Sequence, residues 1–249
     1  MCVKVTSLWK KILYSLLFLN LIFISVALFL LLKPFNLEND VVAEDIAEVS
    51  SSEYVITPPL AKIEHIVFIG DSITYGYQLT DHFTKLELPP VNLGVNGETS
   101  EQVLSRLDHT LYELRPKKFF LLIGTNDLVK TKKTPGEIAT TIKEIITTLQ
   151  EQLPETEIFV ESVYPVNTVD FLSPNHKKMV GSRNNGTIVK LNRLIQLVTL
   201  ETKTTYLEVY PVLLDQKEQL IKEYSYDGLH LNQAGYDVIT EFLSPYVYD

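Results

Sequence analysis

Four short polar segments interrupt the apolar runs of this chain. They are Gly70-Asp71-Ser72, Asn92-Leu93-Gly94-Val95-Asn96-Gly97, Gly124-Thr125-Asn126-Asp127 and Tyr226-Asp227-Gly228-Leu229-His230-Leu231-Asn232. Together they hold what acyl transfer requires: a nucleophile, a base within hydrogen-bond reach, a group that orients the base, and donors for the developing oxyanion. Ser72 supplies a hydroxyl and His230 is the candidate base. Asp227 precedes His230 by three residues, so one turn of chain lets its carboxylate meet the far ring nitrogen. The backbone N–H groups of Ser72 and Gly94 and the side-chain amide of Asn126 are candidate oxyanion donors. Gly94 suits that task because a missing side chain lets backbone approach a substrate.

Each of these residues also has a plain structural reading. A serine after a strand is usually a helix cap. Asp71 is read as structural, organising the loop beside Ser72. Gly94 and Gly97 read as turn glycines, Asn126 and Asp127 as helix-start polar residues, and Asp227-Gly228 as a common turn pair. His65, His82, His109 and His176 read as solvated or structural. The ordered set of four segments, with an acid beside the histidine, outweighs these single readings.

To converge, the segments need a scaffold that brings them to one rim. From residue 63 onwards, apolar runs alternate with helical patterns. Strands are expected at 64–69, 90–93, 118–123, 157–163 and 204–209, as near-continuous Val/Ile/Phe/Leu runs suited to burial on both faces. Val103, Leu107, Leu111 and Leu114 recur at helical spacing, behind a Thr99–Gln102 capping box. Thr134-Pro135-Gly136-Glu137 opens a second helix, with Ile138, Ile142, Ile145, Leu149 and Leu153 on one face. Ile188, Leu191, Ile195 and Val198 mark a third. A last helix, capped by Asn232, carries Val238, Ile239 and Phe242. Alternating strands and helices predict a parallel sheet covered on both sides. Such sheets bind ligands outside the carboxyl ends of their strands, where the first three polar segments fall. The fourth joins them if the last helix starts at that rim.

The ordered set resembles the SGNH hydrolase superfamily, the GDSL-type esterase/lipase family, over about residues 63–248. The motifs appear as GDSIT with Ser72, NLGVNGETS with Gly94, GTND with Asn126, and DGLHLN with Asp227 and His230. Glu161-Ser162-Val163-Tyr164-Pro165-Val166 looks like the family's fourth strand and following loop. The resemblance implies a flavodoxin-like three-layer α/β/α sandwich with a five-stranded parallel sheet. It implies Ser72 as nucleophile, His230 as base and Asp227 as its partner. Ser72, Gly94 and Asn126 become the oxyanion donors, with neither metal nor cofactor. The Gly-x-Ser-x-Gly elbow of α/β-hydrolases is absent, since position 74 is threonine.

The expected activity is hydrolysis of carboxylic O-acyl esters, such as O-acetylated glycans or short-chain and lysophospholipid esters. An O-acyltransferase built on the same residues, and a catalytically silent surface-binding module, are the alternatives. Residues 165–186 form a long polar connection near the expected rim. They, Tyr75 and Tyr77 either shape the pocket or pack at the surface.

The chain has 249 residues, 45% of them hydrophobic, and a net charge of -9. No basic face marks a nucleic-acid partner. The single cysteine, Cys2, forbids an intrachain disulfide, and paired zinc-type spacings are absent. Residues 12–32 contain no charged side chain, and at ~1.5 Å per residue they span roughly one hydrocarbon thickness. Lys4, Lys10 and Lys11 precede them, and Glu38, Asp40, Glu44, Asp45 and Glu48 follow. The expectation is a cytoplasmic N-terminus at 1–11 and an uncleaved signal anchor at 12–32 in the lipid bilayer, with a cleaved signal peptide as the alternative. An acidic flexible stalk at 33–62 and a hydrolase domain at 63–249, outside the cytoplasm, complete it. Residues 1–33 hold four lysines and no acid, so the -9 of the whole chain becomes -13 for the remainder.

Overall fold

A computed structural model describes residues 65–107 and 114–249. The described residues all fall within the unit Pro58–Asp249. The expected anchor, stalk and Leu111 lie outside them, as do Cys2 and His109. Among the described residues, no helix is long and apolar enough to cross a membrane.

Five strands form one parallel sheet: β1 (Ile66–Gly70), β2 (Val91–Gly94), β3 (Lys118–Leu122), β4 (Glu157–Glu161) and β5 (Thr205–Leu207). Their order is β2-β1-β3-β4-β5, the flavodoxin-like winding. The expected strands are present, and their ends differ by at most two residues. At β4, pairing stops at Glu161, and Ser162 and Val163 lie beyond the strand, though the Ser162 N–H still donates to Leu207 O at 2.9 Å.

The sheet is apolar on both faces because both are covered. On one face Phe68, Phe120 and Phe159 stand in register on β1, β3 and β4. Their rings stack with centroids 4.4 and 4.7 Å apart, a geometry worth about 0.5–1.5 kcal/mol per pair beyond burial. Against this face lie α1 (Ser72–Gly76), α2 (Leu79–His82) and, later in the chain, the final helix. On the other face Val67, Ile69, Phe119, Leu121, Ile158 and Val160 meet α3 (Ser100–Ser105) and the long helices that follow.

After β3 come α4 (Asp127–Lys130) and α5 (Pro135–Gln152). Thr134 and Glu137 close the expected capping box at the start of α5, and Thr99 and Gln102 do so at α3. After β4 the chain forms α6 (Pro174–Val180), inside the polar connection, and then α7 (Asn185–Thr202), which packs on α5. Short 3₁₀ turns at Tyr210–Leu213 and Lys222–Tyr224 lead to α8 (Gln233–Tyr248). Asn232 caps α8, accepting from the Gly235 N–H at 3.1 Å. Its buried stripe is Tyr236, Ile239, Leu243 and Val247; Val238 and Phe242 pack at its edge.

Candidate active site

β1 ends in a tight turn that delivers Ser72. A Cβ on Gly70 would stand 2.2 Å from the Leu122 carbonyl oxygen and 2.3 Å from Thr74 Oγ1, so only glycine lets the chain leave the sheet there. Asp71, not Ser72, caps α1: its Oδ1 accepts from the Ile73 N–H at 2.9 Å. The Ser72 hydroxyl is therefore free for another partner, and that partner is His230 Nε2, at 2.9 Å and 158 positions away.

The 225–231 loop is folded on its own side chains. Ser225 Oγ accepts from the N–H groups of Asp227 (3.3 Å) and Gly228 (2.9 Å) and donates to the His230 carbonyl at 2.7 Å. Asp227 Oδ1 accepts from the N–H groups of Leu229 (2.9 Å) and His230 (2.8 Å), while Oδ2 lies 2.7 Å from His230 Nδ1. Burial pushes the Asp227 carboxyl up, but the His230 ring and these two backbone donors together hold it below the usual carboxylate range. An ionised carboxylate only accepts, so Nδ1 carries the ring proton and Nε2 faces Ser72 as an acceptor. Gly228 is obligatory here. Its φ is +87°, and a Cβ would stand 2.6 Å from the Asn167 carbonyl oxygen.

Asn126 follows β3 and is buried. Its Nδ2 donates to the Glu98 carbonyl at 3.0 Å, and its Oδ1 accepts from Arg183 Nη2 at 2.8 Å. Asp127, fully buried, accepts from the Ser100 hydroxyl at 2.6 Å and from the Ser100 N–H. It thus ties the β3 rim to the start of α3. The loop between β2 and α3 is also held to β1, through Val95 N–H to Gly70 O at 2.9 Å.

Gly94 ends β2 beside α1. A Cβ there would lie 2.2 Å from the Tyr75 nitrogen. The glycine is thus required by close packing of β2 on α1, which is a different reason from substrate approach. Its N–H donates to Asn92 Oδ1 at 2.9 Å, and Asn92 Nδ2 is in turn anchored to the Thr74 and Tyr77 carbonyls.

Asp71 and Arg183 set the buried charge beneath Ser72. Burial pushes the Asp71 carboxyl up to about 6 against the pull of the Ile73 N–H, Arg183 and His230. Burial also works against the Arg183 charge, which the Asp71 and Asp227 carboxylates favour. Arg183 was not among the expected site residues, since an arginine in a polar connection carries no spacing signal.

A cleft of about 370 Å³ opens beside Ser72 and His230, lined by Gln78, His82, Asn96, Tyr226, Gln233 and Tyr236 among others. His82, expected to be solvated or structural, lies in this cleft with its side chain only 6% exposed, 2.9 Å from Thr240 Oγ1 and 3.2 Å from Gln233 Nε2. Tyr75 is exposed, whereas Tyr77 is buried, stacked on Tyr236 at 4.9 Å and hydrogen-bonded to Thr240. Tyr77 thus belongs to the core under the cleft. A larger cavity, about 480 Å³, lies around Glu101, Lys133 and Glu137 and touches none of these groups. Among the described residues, no group of three or more His, Cys, Asp or Glu side chains is placed to hold a metal ion.

Comparison with known proteins bears on this arrangement. A curated relative, the N-acylneuraminate cytidylyltransferase of Escherichia coli O18:K1:H7, is 25% identical over 176 residues, 69% of this chain. The chain spans 39% of that protein's length. A solved structure from Streptococcus pneumonia, described as a platelet activating factor, is 35% identical with a TM-score of 0.69, covering 76% of this chain and 87% of its own. A GDSL-like lipase of Bacteroides thetaiotaomicron shares the fold at 22% identity and a TM-score of 0.64, covering 76% and 90%. The model of the GDSL-like Lipase/Acylhydrolase family matches residues 68–238, from within β1 to within α8. With that match spanning sheet, rim and the 225–231 loop alike, the chain belongs to the GDSL-like lipase/acylhydrolase family.

Proposed function

We propose that this protein is a serine esterase that hydrolyses short O-acyl esters, with Ser72 as nucleophile, His230 as general base and Asp227 as the group that orients it. The observation that carries this reading is the continuous chain Ser72 Oγ–His230 Nε2–Asp227, with links of 2.9 and 2.7 Å. Ser72 Oγ attacks the ester carbonyl as its proton passes to His230 Nε2. The developing oxyanion takes hydrogen bonds from the Ser72 N–H, Asn126 Nδ2 and the Gly94 N–H. The last of these shares its hydrogen with Asn92 Oδ1. Collapse expels the alcohol, which receives the proton from His230. Water, deprotonated by the same ring, then releases the carboxylic acid.

The cleft lining favours one substrate class. Its side chains are mostly amides, imidazoles and tyrosines, with no lysine or arginine among them. Such groups suit a neutral polyhydroxy alcohol better than a phosphate head group or a long acyl chain. The favoured substrate is a glycan O-acetyl group. Residues 12–32 anchor the chain in the membrane, with the catalytic domain outside the cytoplasm.

The test is hydrolysis of p-nitrophenyl acetate by the purified chain. Ser72→Ala is expected to abolish it, and a fully active variant would end the reading. An acyl series from acetate to octanoate, with acetylated xylan as competitor, separates glycan from lipid substrates. Recovery of the chain in the membrane fraction, and its loss on deleting 12–32, checks the anchor.

A further inference from the structure

Arg183 lies three residues beyond α6, at the end of the polar connection, and its side chain is buried. Its donors go in three directions. Nε donates to the carbonyl and hydroxyl oxygens of Thr125 at 2.9 and 3.0 Å. Nη1 donates to the Met179 and Val180 carbonyls in the last turn of α6, at 3.0 and 2.9 Å. Nη2 donates to Asn126 Oδ1 at 2.8 Å.

The third contact has a chemical consequence. A side-chain amide has one accepting end and one donating end. With Oδ1 seated on a guanidinium, which can only donate, Nδ2 must face the opposite way. A flipped amide would set NH₂ against the guanidinium N–H groups and Oδ1 against the Glu98 carbonyl oxygen, donor against donor on one side and acceptor against acceptor on the other. One Nδ2 hydrogen goes to the Glu98 carbonyl, and the amide retains a second for another acceptor. The planar fork is what allows one residue to hold Thr125, Asn126 and α6 together; a lysine ammonium has no such fixed geometry.

We infer that Arg183 is a positioning residue for the oxyanion site: by holding Asn126 Oδ1 it locks the amide with its N–H₂ available to the developing oxyanion. The inference rests on the esterase reading above. The same guanidinium grips the end of α6, so one side chain ties the polar connection to Asn126.

A double-mutant cycle on the full chain tests this, with kcat and KM for p-nitrophenyl acetate as readouts. Arg183→Lys retains the charge near Asp71 and Asp227 and loses the fork. It is expected to lower kcat ~10–100-fold with KM changed less than about threefold, a fraction of the loss from removing the donor itself. In the Asn126→Ala background the same change is expected to cost less than about twofold, because the amide it positions is gone. A purely structural role predicts instead equal fold-losses in both backgrounds, and that result overturns the inference. So does a wild-type kcat in Arg183→Lys. If the lysine variant fails to fold, Arg183→Met, which retains much of the stem's packing, enters the same cycle with the same criteria. Ser72→Ala separates the two levels. Loss of hydrolysis in Ser72→Ala with a multiplicative cycle defeats the positioning role alone, whereas full activity in Ser72→Ala defeats the esterase reading and this inference with it.

Discussion

Ser72 and Asn126 follow neighbouring strands, and the pairing of Gly70 with Leu122 sets their separation before any side chain is considered. Asp227 and His230 have no such frame. They stand on a loop closed by Ser225, by an isolated antiparallel bridge from Ser225 to Leu231, and by the Asn167 N–H donating to the Gly228 carbonyl at 2.8 Å. The carboxyl groups on the two sides differ accordingly. Asp227 is met by two backbone donors and a ring N–H, which hold it ionised. Glu161, at the end of β4, is buried with Tyr164 as its partner, and burial pushes it up to about 7 despite that hydrogen bond. A strand end buries what it carries, whereas a loop with many free N–H groups can solvate a charge from within. That difference makes the loop the suitable place for the group that, in the proposed mechanism, stays negative while His230 becomes an imidazolium.

The comparison can be broken at its strongest point first. Asp227→Asn leaves the loop's shape nearly isosteric but removes the charge and permits the wrong tautomer of His230. A fall in kcat of ~10⁴ for p-nitrophenyl acetate is expected, with far-ultraviolet circular dichroism unaltered. On the strand side, Asn126→Ala removes one preorganised donor and should cost ~10²–10³ in kcat. A wild-type rate would remove Asn126 from the oxyanion hole. Gly228→Ala attacks the loop through its backbone: it places a Cβ against Asn167 at positive φ, at a cost of about 1–3 kcal/mol. A lowered unfolding midpoint in urea, together with reduced kcat, is the expected outcome, since the strain falls on the element that carries the proposed base.

The effect with the least bearing on activity concerns stability and its sign. The unfolded chain loses the Glu161 proton near its ordinary value of 4.5, while the folded chain holds it to about 7. Between those values the native state binds more protons, so stability falls as pH rises and is flat above the window. Asp71, pushed up to about 6, acts in the same direction. Asp227, held below its ordinary range, acts oppositely: its contribution is present above the unfolded value and is lost as pH falls through the folded one. Glu161→Gln conserves an acceptor for the Tyr164 hydroxyl and removes the ionisation. It should raise stability by about 3 kcal/mol at pH 8 and hardly at all at pH 4. Urea unfolding at the two pH values measures it, and an equal effect at both would show that Glu161 does not titrate in this window.

Much of the architecture is local and was legible in the chain. Continuous apolar runs mark strands buried on both faces, and the Thr99 and Thr134 boxes mark helix starts because a cap needs only neighbours in sequence. The spacing of Asp227 and His230 is local too, and so is the polar character of each strand end. The tertiary structure alone decided which of Asp71 and Ser72 caps α1, that Gly94 is glycine because β2 packs on α1, and that His82 lines the cleft. It also placed Arg183 against Asn126, 57 positions away. Such contacts join residues whose separation in sequence follows no period. Only the folding of the polar connection over the rim brings them within hydrogen-bond distance, and no propensity or spacing rule encodes that approach.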